Sequence, residues 1–280
     1  MAKLDRLVWA EGISFTSFGV PIGIRVCVQE LLDQVLARIP VGWKRRRSTV
    51  VDRLYCLIAG GPRSQRNMRS FHLLYADDRR LSRSESLLDL LEIFESDLSS
   101  YIAQAARPWL FVHAGVIGWK ERAILIPGRS FSGKSTLVKA FLQAGATYYS
   151  DEFAVLDERG YVHPYPKPLS IRAGCEEKQL RVRVEELGAK TGVAALPVGL
   201  VLLTQFESNV RWRPRELSYG RGVLGLLSNT PAARMRPDWA LKILATSVGR
   251  ATILHGRRGE AGETVQSILG RLENRSMGRE

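Results

Sequence analysis

Apolar positions recur with two different periods along this chain, and each change of period marks an element. Val20, Ile22, Ile24 and Val26 alternate with other residues, the pattern of a strand. Leu31, Leu32, Val35, Leu36 and Ile39 recur at three- and four-residue spacing, which predicts a helix ended by Pro40. Leu54, Cys56 and Ile58 alternate again before the break at Gly60, Gly61 and Pro62. Phe71, Leu73 and Tyr75 predict a third strand. Ser82, Arg83, Ser84 and Glu85 have the form of a capping box. Behind it, Leu87, Leu91, Phe94, Leu98 and Tyr101 stripe one face of a long helix, which Pro108 closes.

Residues 110–117 and 122–127 are apolar runs joined by Gly118, Trp119, Lys120 and Glu121, a hairpin pattern. Its second strand runs into a Gly-rich loop. A helix follows over 135–144, with Leu137, Ala140, Phe141 and Ala144 inward and Gly145 as its C-cap. Residues 148–156 read as a strand, turned by Glu158, Arg159 and Gly160 into 161–164. Residues 176–191 are charged and read as an exposed helix or loop. Residues 200–204 read as a buried strand, followed by a helix over 239–246, a strand over 251–254 and a helix over 263–272. The whole predicts an α/β (α+β) chain in two units: residues 1–107, a small α+β unit and a candidate for substrate binding, and residues 108–280. There are no internal repeats.

Composition changes this picture little, except in charge. Lys and Arg total 41 against 28 Asp and Glu, a net +13, which favours polyanionic or acidic partners. The one dense basic run is Lys44 to Arg47, without the interleaved aromatics of single-strand binders, which argues against specific nucleic-acid recognition. Cys27, Cys56 and Cys175 are odd in number, far apart and form no CxxC, so neither a disulfide framework nor a cysteine zinc site is expected. Cys27 and Cys56 read as small core residues. No signal-peptide pattern or membrane-length apolar run is visible, and a cytoplasmic protein without membrane partners is the expectation.

Gly128-Arg129-Ser130-Phe131-Ser132-Gly133-Lys134-Ser135 fits G-x-x-x-x-G-K-[ST], and Thr136 follows it. Glycines let consecutive N–H groups turn toward phosphate oxygens, and a helix N-terminus adds its positive end. Lys134 supplies a charge for the β and γ phosphates, and Ser135 a hydroxyl for Mg²⁺. The preceding apolar strand and the following amphipathic helix are what this mechanism requires. The chemistry then needs a carboxylate. Asp151-Glu152 and Asp157 both qualify, and the pair is favoured because two carboxylates can serve both metal and proton. Neighbours on a strand face opposite ways, which would give the two distinct jobs. His113 lies on an apolar strand, where a lone histidine is more often a satisfied core residue.

The stretch from His113 to Ile117, the run from Ile124 to Thr136, and Ser150-Asp151-Glu152-Phe153 together resemble the catalytic core of HPr kinase/phosphorylase. The resemblance covers roughly residues 110–175. It implies a P-loop kinase core of the type shared with phosphoenolpyruvate carboxykinase, using ATP and Mg²⁺. By position it implies that His113 assists catalysis and Asp151 takes the proton of a substrate hydroxyl. It further implies that Glu152 joins Ser135 at Mg²⁺, and that Lys167 and Arg172 close on the phosphates. The family forms hexamers, so a homo-oligomer is among its implications. This chain has Glu152 where the family has a second Asp, and it lacks the Gly-rich signature segment that follows the pair. The implied acceptor is therefore a Ser or Thr of a peptide or small protein other than HPr. Two other classes stay open: an ATPase switch or small-molecule kinase, and a nucleic-acid-associated NTPase. The Asn-Lys-x-Asp of common GTPases is absent.

Overall fold

The computed structural model describes residues 4–60, 70–128, 132–172 and 179–277. The side chains of 170, 171, 172, 179 and 180 and of 275–277 lie outside that description. The chain is mixed α/β and divides into two compact units, residues 1–108 and 109–280. Among the described residues no helix is long and apolar enough to cross a membrane.

The first unit contains β1 (Glu11–Ser17), β2 (Val20–Val26), α1 (Glu30–Leu36), β3 (Lys44–Arg45), β4 (Arg53–Ile58), β5 (His72–Ala76), β6 (Arg79–Ser84) and α2 (Leu87–Ala105). Its six strands lie in the order β3-β1-β2-β4-β5-β6, antiparallel except for the β2–β4 pair. Helix α2 buries Leu90, Leu91, Phe94, Leu98 and Ile102. The strand expected around Phe71, Leu73 and Tyr75 is β5, which buries Leu74 and Ala76. Two expectations are corrected here. Ser82 and Ser84 belong to β6, and the α2 cap is Ser86, whose hydroxyl accepts the Asp89 N–H at 3.2 Å. Cys56 is a core residue, but Cys27 is only half-buried and accepts the Ala59 N–H at its sulfur; Cys175 lies outside the described residues.

The second unit contains β7 (Leu110–Trp119), β8 (Arg122–Pro127), α3 (Lys134–Gln143), β9 (Thr147–Ser150), β10 (Phe153–Leu156), β11 (Tyr161–His163), β12 (Leu169–Arg172), β13 (Gln179–Val182), β14 (Leu196–Phe206), β15 (Arg215–Glu216), α4 (Tyr219–Leu227), α5 (Pro237–Val248), β16 (Thr252–Arg258) and α6 (Ala261–Met277). Short 3₁₀ turns cover Val184–Leu187 and Pro231–Arg234. The central sheet runs β11-β10-β7-β8-β14-β16-β15, with β11 also pairing β14. Strands β8, β14 and β16 are mutually parallel, so their C-terminal ends emerge together. Period-2 alternation sorts the two faces. Leu110, Val112, Ala114, Val116 and Leu125 pack with Val223, Leu226, Ile243 and Leu244 of α4 and α5. Ile124, Ile126, Leu200 and Leu202 pack with Leu137, Val138 and Phe141 of α3 and Val265 and Ile268 of α6.

Helix α3 buries Leu137, Val138, Phe141 and Leu142, a face turned slightly from the expected one; Ala144 is exposed. The hairpin between β7 and β8 turns on Lys120 and Glu121 alone, both with positive φ (45° and 60°). That conformation suits the twist of a two-residue hairpin. Residues 147–156 do not form one strand. Two strands, β9 and β10, pair the same edge of β7 and are separated by Asp151 and Glu152.

Candidate functional site

The site is assembled at the C-terminal end of β8, the edge where parallel α/β sheets offer ligands their binding crevice. His113 and Gly128 face each other across the β7–β8 hairpin. The His113 carbonyl accepts the Gly128 N–H at 3.2 Å, and the His113 N–H donates to the Asn229 carbonyl at 2.7 Å. On the other edge of β7, Phe153 pairs His113 and Ser150 pairs Val116. The Asp151-Glu152 interruption is therefore held opposite Ala114 and Gly115, level with the start of α3. Ser150 causes the break: its buried hydroxyl accepts the N–H groups of Glu152 and Phe153 at 3.1 and 3.0 Å, taking donors a continuous strand would use. The expectation that the pair faces opposite sides of a strand is thereby corrected, because neither residue is in one.

Helix α3 must approach β7 closely to bring its N-terminus to this edge. Gly115 permits that: a Cβ there would meet Val138 Cγ2 at 2.6 Å. Gly133 leads into α3 with φ of 81°, a left-handed conformation costly to any other residue type. Arg129, Ser130 and Phe131 lie outside the described residues. Ser132, Lys134 and Ser135 are half-buried, and Thr136 is exposed in the first turn of α3.

Ser135 Oγ donates to Asp151 Oδ2 at 3.3 Å, joining residues sixteen apart in sequence. The Tyr148 hydroxyl lies 3.2 Å from Asp151 Oδ1 and 2.8 Å from the Lys167 carbonyl. Burial, then the Asp151 carboxylate, pushes the Tyr148 phenol far up, so it stays protonated as a donor. Glu152 forms an ion pair with Lys167 at 2.6 Å. The carboxylate next to Ser135 is thus Asp151, where the resemblance implied Glu152. The backbone of Arg172 ends β12, and its side chain lies outside the described residues.

Burial depresses the Lys134 ammonium, opposed by the carboxylates of Asp151 and Glu152. Burial also depresses the His113 imidazole, with Lys134 adding to the effect and Glu152 opposing it. The ring lies 4.3 Å from that of Phe153, which in turn meets Phe111 and Tyr165 edge-on. His113, Lys134, Asp151 and Glu152 are therefore one electrostatic group. Asp157 is not part of it: its oxygens take the N–H groups of Arg159 and Tyr161 and the His163 ring, the work of a turn residue.

Hydroxyl and carboxylate oxygens are the hard donors that suit Mg²⁺, which keeps several waters or phosphate oxygens around one or two carboxylates. Among the described residues no group of three or more His, Cys, Asp or Glu gathers. Ser135 and Asp151 fit such a sparse site.

Sequence reasoning missed Arg258. It ends β16 beside Phe206 of β14, is 2% exposed, and donates from Nη2 to the Gly133 carbonyl at 2.9 Å. A basic residue ending a strand parallel to β8 was the signal available. No protein-family model matches the chain, and no curated protein matches it.

Proposed function

We propose that the chain is an ATP- and Mg²⁺-dependent kinase that transfers the γ-phosphate to a hydroxyl, that of a Ser or Thr in a peptide or small protein. The observation that carries this reading is the 3.3 Å bond between Ser135 and Asp151. It joins the last residue of a phosphate-loop pattern to an acidic pair, across a strand that carries His113. Hydroxyl, carboxylates, imidazole and ammonium at the C-terminal edge of parallel strands are the parts phosphoryl transfer needs. The resemblance to the HPr kinase/phosphorylase core favours a kinase over other nucleotide chemistry, and supplies the acceptor class.

The Gly128–Ser135 backbone would cradle the phosphates, with Lys134 as their counter-charge. Ser135 and Asp151 would hold Mg²⁺, which when bound neutralises charge on the phosphates. Glu152 would then take the acceptor's proton, with the neutral His113 ring beside it. This inverts the division of labour that the family resemblance implies for the two carboxylates. The physical reason is that a carboxylate already bonded to the loop serine is on the phosphate side of the pair.

The test is γ-labelled ATP with Mg²⁺ and a host-cell extract, beside Lys134→Ala. Label on a discrete band, lost in Lys134→Ala, supports the kinase and delivers its acceptor. Released phosphate without a labelled acceptor moves the reading to an ATPase switch or a small-molecule kinase. Asp151→Asn should lose the Mg²⁺-dependent part of ATP binding. Glu152→Gln should bind ATP normally and lose transfer by about 10²-fold or more. The opposite pattern restores the order implied by the resemblance.

A further inference from the structure

Arg258 is the largest fully buried side chain among the described residues. A buried guanidinium is ordinarily paired with a carboxylate, because desolvating the charge is costly. Among the described residues none lies within ion-pair distance of this one, and the carboxylate of Glu260 acts on it only from farther away. Nη2 donates to the Gly133 carbonyl at 2.9 Å, Nη1 donates to the Gly259 carbonyl at 3.2 Å, and among the described residues buried Nε has no partner. The group lies 5.5 Å from the centre of the Phe206 ring.

Its location turns this imbalance into a clue. The N-terminus of α3 already carries a positive dipole end, which favours anions and disfavours a nearby cation. Lys134 opens the same helix. Arg258 adds a further full charge at the residue that caps it. The Gly133 carbonyl also accepts the Leu137 N–H, the first bond of α3, at 3.2 Å. Arg258 therefore ties the exit of the Gly-rich segment to the start of the helix. A trans peptide is planar, so fixing the Gly133 carbonyl also points the Lys134 N–H to the opposite side. The absence of a side chain at Gly133 admits the guanidinium, since a Cβ there would meet Arg258 Nη2 at 2.5 Å.

We infer that Arg258 is a positioning residue for the polyphosphate of the nucleotide: it clamps the Gly133 carbonyl so that the Lys134 N–H is preset, and a bound anion adds to the partial compensation that Glu260 gives its charge. This rests on the nucleotide reading above. The role is exerted through the loop backbone, and its energetic signature is a trade of apo stability for anion affinity.

The experiment is titration of Mg-ATP and of pyrophosphate into the full chain and into Arg258→Met, Arg258→Lys and Lys134→Ala, with thermal unfolding of each apo protein. Arg258→Met should unfold no earlier than the parent, since a buried charge that Glu260 offsets only in part is gone. It should bind both ligands about tenfold or more weakly, the loss of a charged hydrogen bond and of the preset Lys134 N–H. Arg258→Lys, which keeps the charge, should fall between Met and parent. Parent-like affinity in a folded Arg258→Met, with Lys134→Ala weakened, overturns the inference and leaves the nucleotide reading standing. Should the Met variant not fold, the Lys variant decides: weakened binding supports the clamp and unchanged binding overturns it. A parent that binds neither ligand removes both readings together.

Discussion

His113 illustrates how much of a residue's chemistry comes from what lies around it. From the chain it is a histidine in an apolar run, ambiguous between core and site. In the fold its ring lies against Phe153, and burial holds its pKa below the ordinary 6.5. The sign of the consequence follows from linkage. Between the folded value and 6.5 the unfolded chain binds a proton that the native one refuses. Stability is therefore fully present above 6.5 and falls as the pH drops below it. The denaturant midpoint of the parent should decline from about pH 7.5 to about pH 5.5 more than that of His113→Gln. Parallel declines would show that the imidazole is not depressed. Asp151 and Glu152 were legible as a pair because acidic neighbours after a G-x-x-x-x-G-K-[ST] pattern have a mechanistic reason to exist on the proposed kinase reading. Arg258 was not, because it is one of 41 basic residues and only its burial distinguishes it.

At the scale of elements, hydrophobic period located β2, β4, β7, β8, α2 and α3, and it failed where tertiary hydrogen bonding overrode a local signal. Ser82 to Glu85 has the spacing of a capping box, yet β6 pairs β5 through Ser84 and claims that backbone. The cap passes to Ser86. Ser86→Ala should lower stability by about 1 kcal/mol, whereas Ser82→Ala should change it by less than ~0.5 kcal/mol, read as shifts in chemical-denaturation midpoint. Equal losses would return the cap to Ser82. Strand β1 escaped notice altogether: Ile13 and Phe15 are only two apolar residues in a polar run. They become core through pairing with β2. Packing of α3 on β7 leaves no space at Gly115. Gly115→Ala should cost roughly 1–3 kcal/mol by overpacking, and should weaken ATP binding by moving the helix N-terminus. A variant with parent-like unfolding and ATP affinity would mean that the helix can back away freely.

On the scale of the whole molecule, every residue of the candidate site lies between 113 and 258, within the second unit, which has apolar cores on both faces of its sheet. A fragment of residues 109–280 should therefore fold cooperatively and bind Mg-ATP within about threefold of the full chain. Binding lost in a folded fragment would assign the first unit a part in the nucleotide site. On the proposed kinase reading the net charge of +13 suits an acidic acceptor, and it should make acceptor phosphorylation fall as salt rises. Short-range pattern carried the mixed α/β class, the Gly128–Ser135 motif and the acidic pair, because each is written in neighbouring residues or in one repeating period. Which carboxylate meets Ser135, which serine caps α2, which face of β5 is buried and what Arg258 holds depend on partners far away in the chain. Strand register and the approach of α3 to β7 settle those contacts, and neither is encoded in any window of neighbouring residues.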